Sequence, residues 1–144
     1  IRSQIFAKSL PLPLVIGAMK RLELLKSKPE LREKLWHNVR LLQGGLKERG
    51  FNIGETNSCV TPVYLHGKPE EATQLVYDLR ENYHVFCSIV IYPVIPKGMI
   101  ILRLIPTASH TDEDIQITLD AFEAVSKKLH AGAYAAEIVN PIKA

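Results

Sequence analysis

Tyr92-Pro93-Val94-Ile95-Pro96-Lys97-Gly98-Met99-Ile100-Ile101-Leu102-Arg103-Leu104-Ile105-Pro106, followed directly by Thr107-Ala108-Ser109-His110-Thr111, is the most informative stretch of this chain. From Met99 to Ile105 six large apolar residues surround one charge, Arg103. A short apolar run bounded by Gly98 and Pro106 predicts a strand with at least one core face. The guanidinium inside it must be paired or open into a cleft, because an unpaired charge in hydrocarbon costs several kcal/mol. Two roles are open for it. Arg103 is either a structural arginine at a sheet margin, bonded to carbonyls or to an acid of its own domain, or a fork held for a planar anion. Guanidinium matches a carboxylate with two parallel N–H···O bonds, and a strand fixes the direction of that fork better than a loop does.

The neighbouring segments complete a small domain. Upstream, Val85 to Ile91 reads as a strand joined to Met99–Ile105 by a stiff proline turn. Downstream, Thr111 reads as an N-cap with Asp112-Glu113-Asp114 in the first turn of a helix striped by Ile115, Leu119, Phe122, Val125 and Leu129. Capping and the helix dipole account for that acidic triplet without a metal or acid–base role. His110, just before the cap, is expected to pack beside the helix start rather than move protons.

Nearer the start, Val15, Met19, Leu22 and Leu25 stripe a helix over residues 14–26, and Pro29 opens a second that runs to Gly50 on Leu31, Leu35, Val39, Leu42 and Leu46. Gly44-Gly45 inside it costs about 1 kcal/mol per glycine relative to alanine, so either another element crosses closely there or the helix frays. Phe51–Ile53 reads as a short strand and Cys59–Leu65 as a clearer one, which Pro62 confines to an edge, an end or a bulge. Gly67-Lys68-Pro69-Glu70-Glu71 opens a helix striped by Ala72, Leu75, Val76 and Leu79 and closing near Asn82. The expected fold is therefore α+β, a small and mostly antiparallel sheet with helices packed on one face. Residues 1–28 are expected to bridge to a larger domain, 29–131 to form the α+β domain and 132–144 to be a tail.

Composition narrows the classes of function. A chain of 144 residues makes about one domain, and 47% hydrophobic with 23% charged residues is ordinary for a globular protein. The net charge of +3 is small and the basic residues are scattered without interleaved aromatics, which argues against a nucleic-acid or membrane surface. Cys59 and Cys87 lack C-x-x-C spacing and read as small hydrophobes in a reducing compartment, so the cytoplasm is the expected location. The five histidines form no ligand cluster and predict no metal. The apolar run from Leu10 to Met19 is too short to span a bilayer.

The proline-flanked segment Tyr92-Pro-Val-Ile-Pro-Lys-Gly, the strand ending in Leu102-Arg103 and the element Ala108-Ser-His-Thr resemble the C-terminal domain of the α-oxoamine synthases, pyridoxal-phosphate enzymes of fold type I. Glycine C-acetyltransferase looks nearest, and 8-amino-7-oxononanoate synthase and serine palmitoyltransferase share the same parts. The resemblance implies that Arg103 binds the carboxylate of the amino-acid substrate. Phe6-Ala7-Lys8-Ser9-Leu10-Pro11 is similar to the family's segment after the cofactor lysine, which makes Ser9 and Lys8 candidate cofactor contacts, with Ala7 and Lys8 departing from the family pattern.

What the resemblance implies is a pyridoxal-phosphate acyltransferase that condenses an amino acid, glycine favoured, with an acyl-CoA and works as a homodimer. Such an enzyme needs a Schiff-base lysine, an acid facing the pyridine nitrogen and a residue stacked on the ring. No lysine here stands in that motif. The chain is thus expected to be the C-terminal portion of a longer polypeptide, inactive alone, with no catalytic residue of its own and with the cofactor bound mainly elsewhere. The alternatives are an aminotransferase of the same fold type, or a non-catalytic module that binds a small carboxylate or a partner.

Overall fold

The computed structural model describes residues 10–135, which divide into two compact units at Lys34 and Leu35. In the first unit, α1 (Leu12–Ser27) starts on a proline turn and buries none of its side chains. Leu12, Leu14, Ile16, Met19, Leu22 and Leu25 are all more than half exposed. α2 (Pro29–Glu48) begins in this unit and continues into the second.

The second unit is a three-stranded antiparallel sheet with helices on one face, α3 (Pro69–Tyr83) and α4 (Asp112–His130) among them. The strands are β1 (Thr61–His66), β2 (Ser88–Val90) and β3 (Met99–Leu104), in the order β1-β3-β2. Alternation along them does the sorting. Thr61, Val63 and Leu65 of β1 and Ile100, Leu102 and Leu104 of β3 are buried toward the helices. The five apolar ones among them meet Leu42 and Leu46 of α2, Leu75 and Leu79 of α3, and Ile115, Leu119, Phe122 and Val125 of α4 in one apolar core. The α+β expectation is thus met, and Pro62 sits in an edge strand.

Several predicted strand ends are overturned, each because a backbone group is already used locally. The Val85 N–H donates to Leu79 O at 2.9 Å, closing α3 through His84 in the left-handed region, so β2 cannot begin there. The Phe51 N–H returns to Leu46 O at 3.0 Å, and only Asn52 bridges to Tyr64, which leaves an isolated bridge where residues 51–53 predicted a strand. The Val60 N–H bonds to Ser58 Oγ at 3.1 Å, so β1 starts at Thr61 rather than Cys59.

Gly45 shows why the glycine pair is tolerated. A Cβ there would lie 2.4 Å from Leu119 Cδ1, so where α4 passes α2 the Leu119 side chain fills the space a side chain at residue 45 would take, whereas a Cβ on Gly44 would meet nothing within 4 Å. Gly44→Ala should therefore stabilise the protein by about 0.5–1 kcal/mol through helix propensity. Gly45→Ala should destabilise it by about 1–3 kcal/mol, because buried Leu119 has to move. Urea unfolding of both variants checks the pair, and equal midpoints would refute the crossing.

Candidate functional site

Arg103 lies in the central strand, opposite Pro62 of β1 and Ser88 of β2. The alternation that buries Leu102 and Leu104 turns Arg103 to the other face, where it is exposed. Its Nε–H donates to Ser88 Oγ at 3.0 Å. Among the described residues no carboxylate pairs with it, and its two terminal nitrogens have no hydrogen-bond partner. Held at Nε and paired on both sides of its strand, the guanidinium presents a fork to the open face of the sheet. The same face carries half-buried Pro62, Tyr64, Met99, Ile101 and Val90.

The element after β3 is fixed by a residue that sequence reasoning missed. Asn38 of α2 is fully buried, and its Nδ2 donates to Thr107 O at 2.8 Å and His110 O at 2.9 Å. Its Oδ1 is buried with no partner among the described residues. The Thr107 N–H donates to His110 Nδ1 at 3.0 Å, so a neutral His110 carries its proton on Nε2. Thr111 and Asp114 then close a capping box. The Asp114 carboxylate accepts from the Thr111 N–H at 2.7 Å, which holds its carboxyl below the usual range, and Thr111 Oγ1 accepts from the Asp114 N–H at 3.1 Å. The acidic triplet therefore serves the helix start, with Asp112 also meeting His37 Nε2 at 3.1 Å.

A second polar centre was also missed. Asp78 of α3, 7% exposed, accepts from Lys128 Nζ at 2.8 Å, from Tyr134 Oη at 2.5 Å and from Asn82 Nδ2 at 2.7 Å. Burial pushes the Asp78 carboxyl up, but the bonds from Lys128, Tyr134 and Asn82 outweigh it and bring the group below its ordinary value. Burial and then the Asp78 bond hold the Tyr134 hydroxyl far above its own ordinary range. This network sits between α3 and the chain after α4 and ties residue 134 to the domain.

Lys8 and Ser9 lie outside the described residues. None of the described lysines is buried, and Lys97 stands 5.0 Å from the Tyr92 ring centroid in the turn before β3. Among the described residues no three His, Cys, Asp or Glu side chains come together to hold a metal ion. No described helix is long and apolar enough to cross a membrane.

The family model described as aminotransferase class I and II matches residues 1–122. The cysteate-C-fatty acyltransferase of Capnocytophaga ochracea is 65% identical over 94% of this chain and 32% of its own length. The 8-amino-7-oxononanoate synthase of Thermoanaerobacter pseudethanolicus is 34% identical over 90% of this chain and 32% of its own. Among solved structures, serine palmitoyltransferase from S. paucimobilis with PLP and myriocin superposes with a TM-score of 0.77 at 32% identity, covering 88% of this chain and 32% of that one. The 8-amino-7-oxononanoate synthase of Francisella tularensis, 22% identical with a TM-score of 0.71, shares the fold. The chain thus spans about a third of the length of these relatives.

Proposed function

Because the chain belongs to the aminotransferase class I and II family, we propose that it is the substrate-carboxylate domain of a pyridoxal-phosphate acyltransferase that joins an amino acid to a fatty acyl-CoA. The observation that carries this reading is Arg103, an exposed guanidinium on a rigid central strand with both terminal nitrogens unpartnered among the described residues. In this role the fork grips the amino acid's carboxylate while Ser88 keeps the guanidinium from turning. Pyridoxal phosphate, when bound, supplies the electron sink for the α-carbon. Its lysine, the acid at its ring nitrogen and the stacking residue are proposed to come from a region these residues do not include, with Lys8 and Ser9 as contacts at its margin.

Glycine was the amino acid favoured by the sequence likeness. The 65% identity to a cysteate-C-fatty acyltransferase supports cysteate instead, with a fatty acyl group in place of acetyl. Residues 1–28 would then bridge to the larger part, 29–131 would form this domain, and 132–144 would follow as a tail pinned at its root by Tyr134. A cytoplasmic homodimer belongs to the same proposal.

The test uses the complete polypeptide with pyridoxal phosphate and palmitoyl-CoA, following thiol release as cysteate, serine, glycine and alanine are offered in turn. Cysteate-dependent release is expected. The 144-residue chain alone, treated with pyridoxal phosphate and borohydride, should take no stoichiometric label at any lysine. Labelling at one lysine of this chain would overturn the assignment of the chemistry elsewhere.

A further inference from the structure

Arg103 stands close to the end of its sheet. Ser88 and Arg103 form the first pair of β2 with β3, and Thr61 and Leu104 the first pair of β1 with β3, so two-sided pairing runs out at the arginine. Pro62, directly opposite Arg103, has no N–H to give to the ladder. Strand ends open locally more readily than strand centres. A fork that must meet a planar anion needs its backbone held to within about half an ångström. Strand pairing is therefore thinnest where the fork needs it most.

α2 supplies support from the helix layer. Asn38 is 0% exposed, and its amide nitrogen donates to two carbonyls, Thr107 O and His110 O. The Thr107 N–H donates to His110 Nδ1 at 3.0 Å, so the turn after β3 is tied within itself and Asn38 docks it to α2 as a unit. On the facing strand, Gln43 Nε2 donates to Thr61 Oγ1 at 3.0 Å and to Ser58 O at 3.1 Å. Thr61 is buried, pairs with Leu104 and precedes Pro62. Val39, Leu42 and Leu46 root the same helix in the core. For stability alone Asn38 is a poor choice, because its Oδ1 is buried with no partner among the described residues, a cost that an apolar side chain avoids. What it supplies is a fixed position for the chain leaving Arg103.

We propose that Asn38 and Gln43 are positioning residues for Arg103: their carboxamides fasten α2 to the chain on both sides of the arginine and fix the direction of its guanidinium before substrate arrives. The inference rests on the carboxylate role proposed for Arg103 and deepens it. Each carboxamide acts through the backbone, Asn38 through the turn after β3 and Gln43 through the strand that pairs with Leu104. Loosening either lets the fork wander, which weakens the grip on the amino acid and leaves the binding of the acyl donor as it is.

Thiol release by the complete polypeptide, with pyridoxal phosphate, cysteate and palmitoyl-CoA, separates positioning from plain stability. Asn38→Ala should raise the Michaelis constant for cysteate about tenfold and Gln43→Ala, at a half-buried site that tolerates truncation, about threefold, with the constant for palmitoyl-CoA within about twofold of wild type. Val125→Ala, which hollows the core on α4, should lower the melting temperature and leave both constants alone. In an Arg103→Lys background the Asn38 and Gln43 variants should each add less than about twofold, because the fork they aim is gone. Factors that multiply in full, or a cysteate constant that moves no more than in Val125→Ala, overturn the proposal. Hydrogen exchange reads the same clamp without turnover. In Asn38→Ala and Gln43→Ala, residues 103–110 should exchange about tenfold faster, relative to residues 97–101, than in wild type, and a uniform acceleration overturns the proposal. If cysteate supports no thiol release, or Arg103→Lys alone leaves its constant unchanged, the carboxylate reading falls, and the exchange measurement still decides whether the two carboxamides hold the strand end.

Discussion

On the proposed carboxylate role, replacing Arg103 with lysine in the complete polypeptide should raise the Michaelis constant for the amino acid about ten- to a hundredfold, the worth of one charge-assisted hydrogen bond. The charge is retained, so the loss isolates geometry. Lysine offers one ammonium where guanidinium offers two parallel donors, and it cannot keep the anchor to Ser88 Oγ while reaching the same point in space. Stability should hardly change. Arg103 is exposed, its hydrogen-bond partner is one hydroxyl, and no carboxylate among the described residues depends on it. Steady-state kinetics and a melting curve on the same variant separate the two roles open to this arginine. An unaltered Michaelis constant for the amino acid, with a lowered melting temperature, would sink the carboxylate role and make Arg103 structural.

The largest effect on stability is expected at Asp78. Asp78→Ala removes the shared acceptor of three donors, and it leaves the Tyr134 hydroxyl, in a residue 9% exposed, without its partner. Lys128 is 42% exposed at its side chain and recovers much of its hydration, so the cost falls below that of a fully buried pair. About 2–4 kcal/mol is the expected loss, a drop in melting temperature of roughly 10 °C or more for a domain of this size. The pH dependence follows from the directions of the shifts. Asp78 sits below its unfolded value, so its contribution is present above roughly pH 4 and is lost as pH falls through the folded value. Lys128 and Tyr134 sit above theirs, so their contributions hold below about pH 10 and fade as pH rises further. Melting temperature against pH should show that plateau in the wild type. In Asp78→Ala the acid limb should flatten, and a limb of unchanged depth would show that another carboxylate governs it.

The fold was readable wherever the signal is local. Helical stripes such as Leu35, Val39, Leu42 and Leu46, and the lone charge in Met99–Ile105, announce themselves within a few residues. The failures came where a distant or competing bond decides. Val85 and Val60 look like strand residues, yet a helix cap and a serine turn had taken their amide protons. Asn38 and Asp78 reach partners 69 to 72 and 50 to 56 positions away, a separation that leaves no periodic trace. Their one local sign is a polar letter on an apolar face, Asn38 between Leu35 and Leu42, Asp78 between Leu75 and Leu79. Arg103 was visible as a candidate because six apolar neighbours make a single charge conspicuous, whereas its anchor Ser88, a small residue at the start of a three-residue strand, carried no such mark.

The alternation of β3 also constrains how this gene segment can vary in length. One residue gained or lost between Ile100 and Arg103 would carry the guanidinium to the helix side and bring Leu102 or Leu104 out, exchanging site for core in a single step. Insertions and deletions in a lineage of such proteins should therefore collect in the turn from Ile91 to Gly98, upstream of the strand, while the spacing from Ile100 to Leu104 stays invariant even where its side chains drift among apolar types.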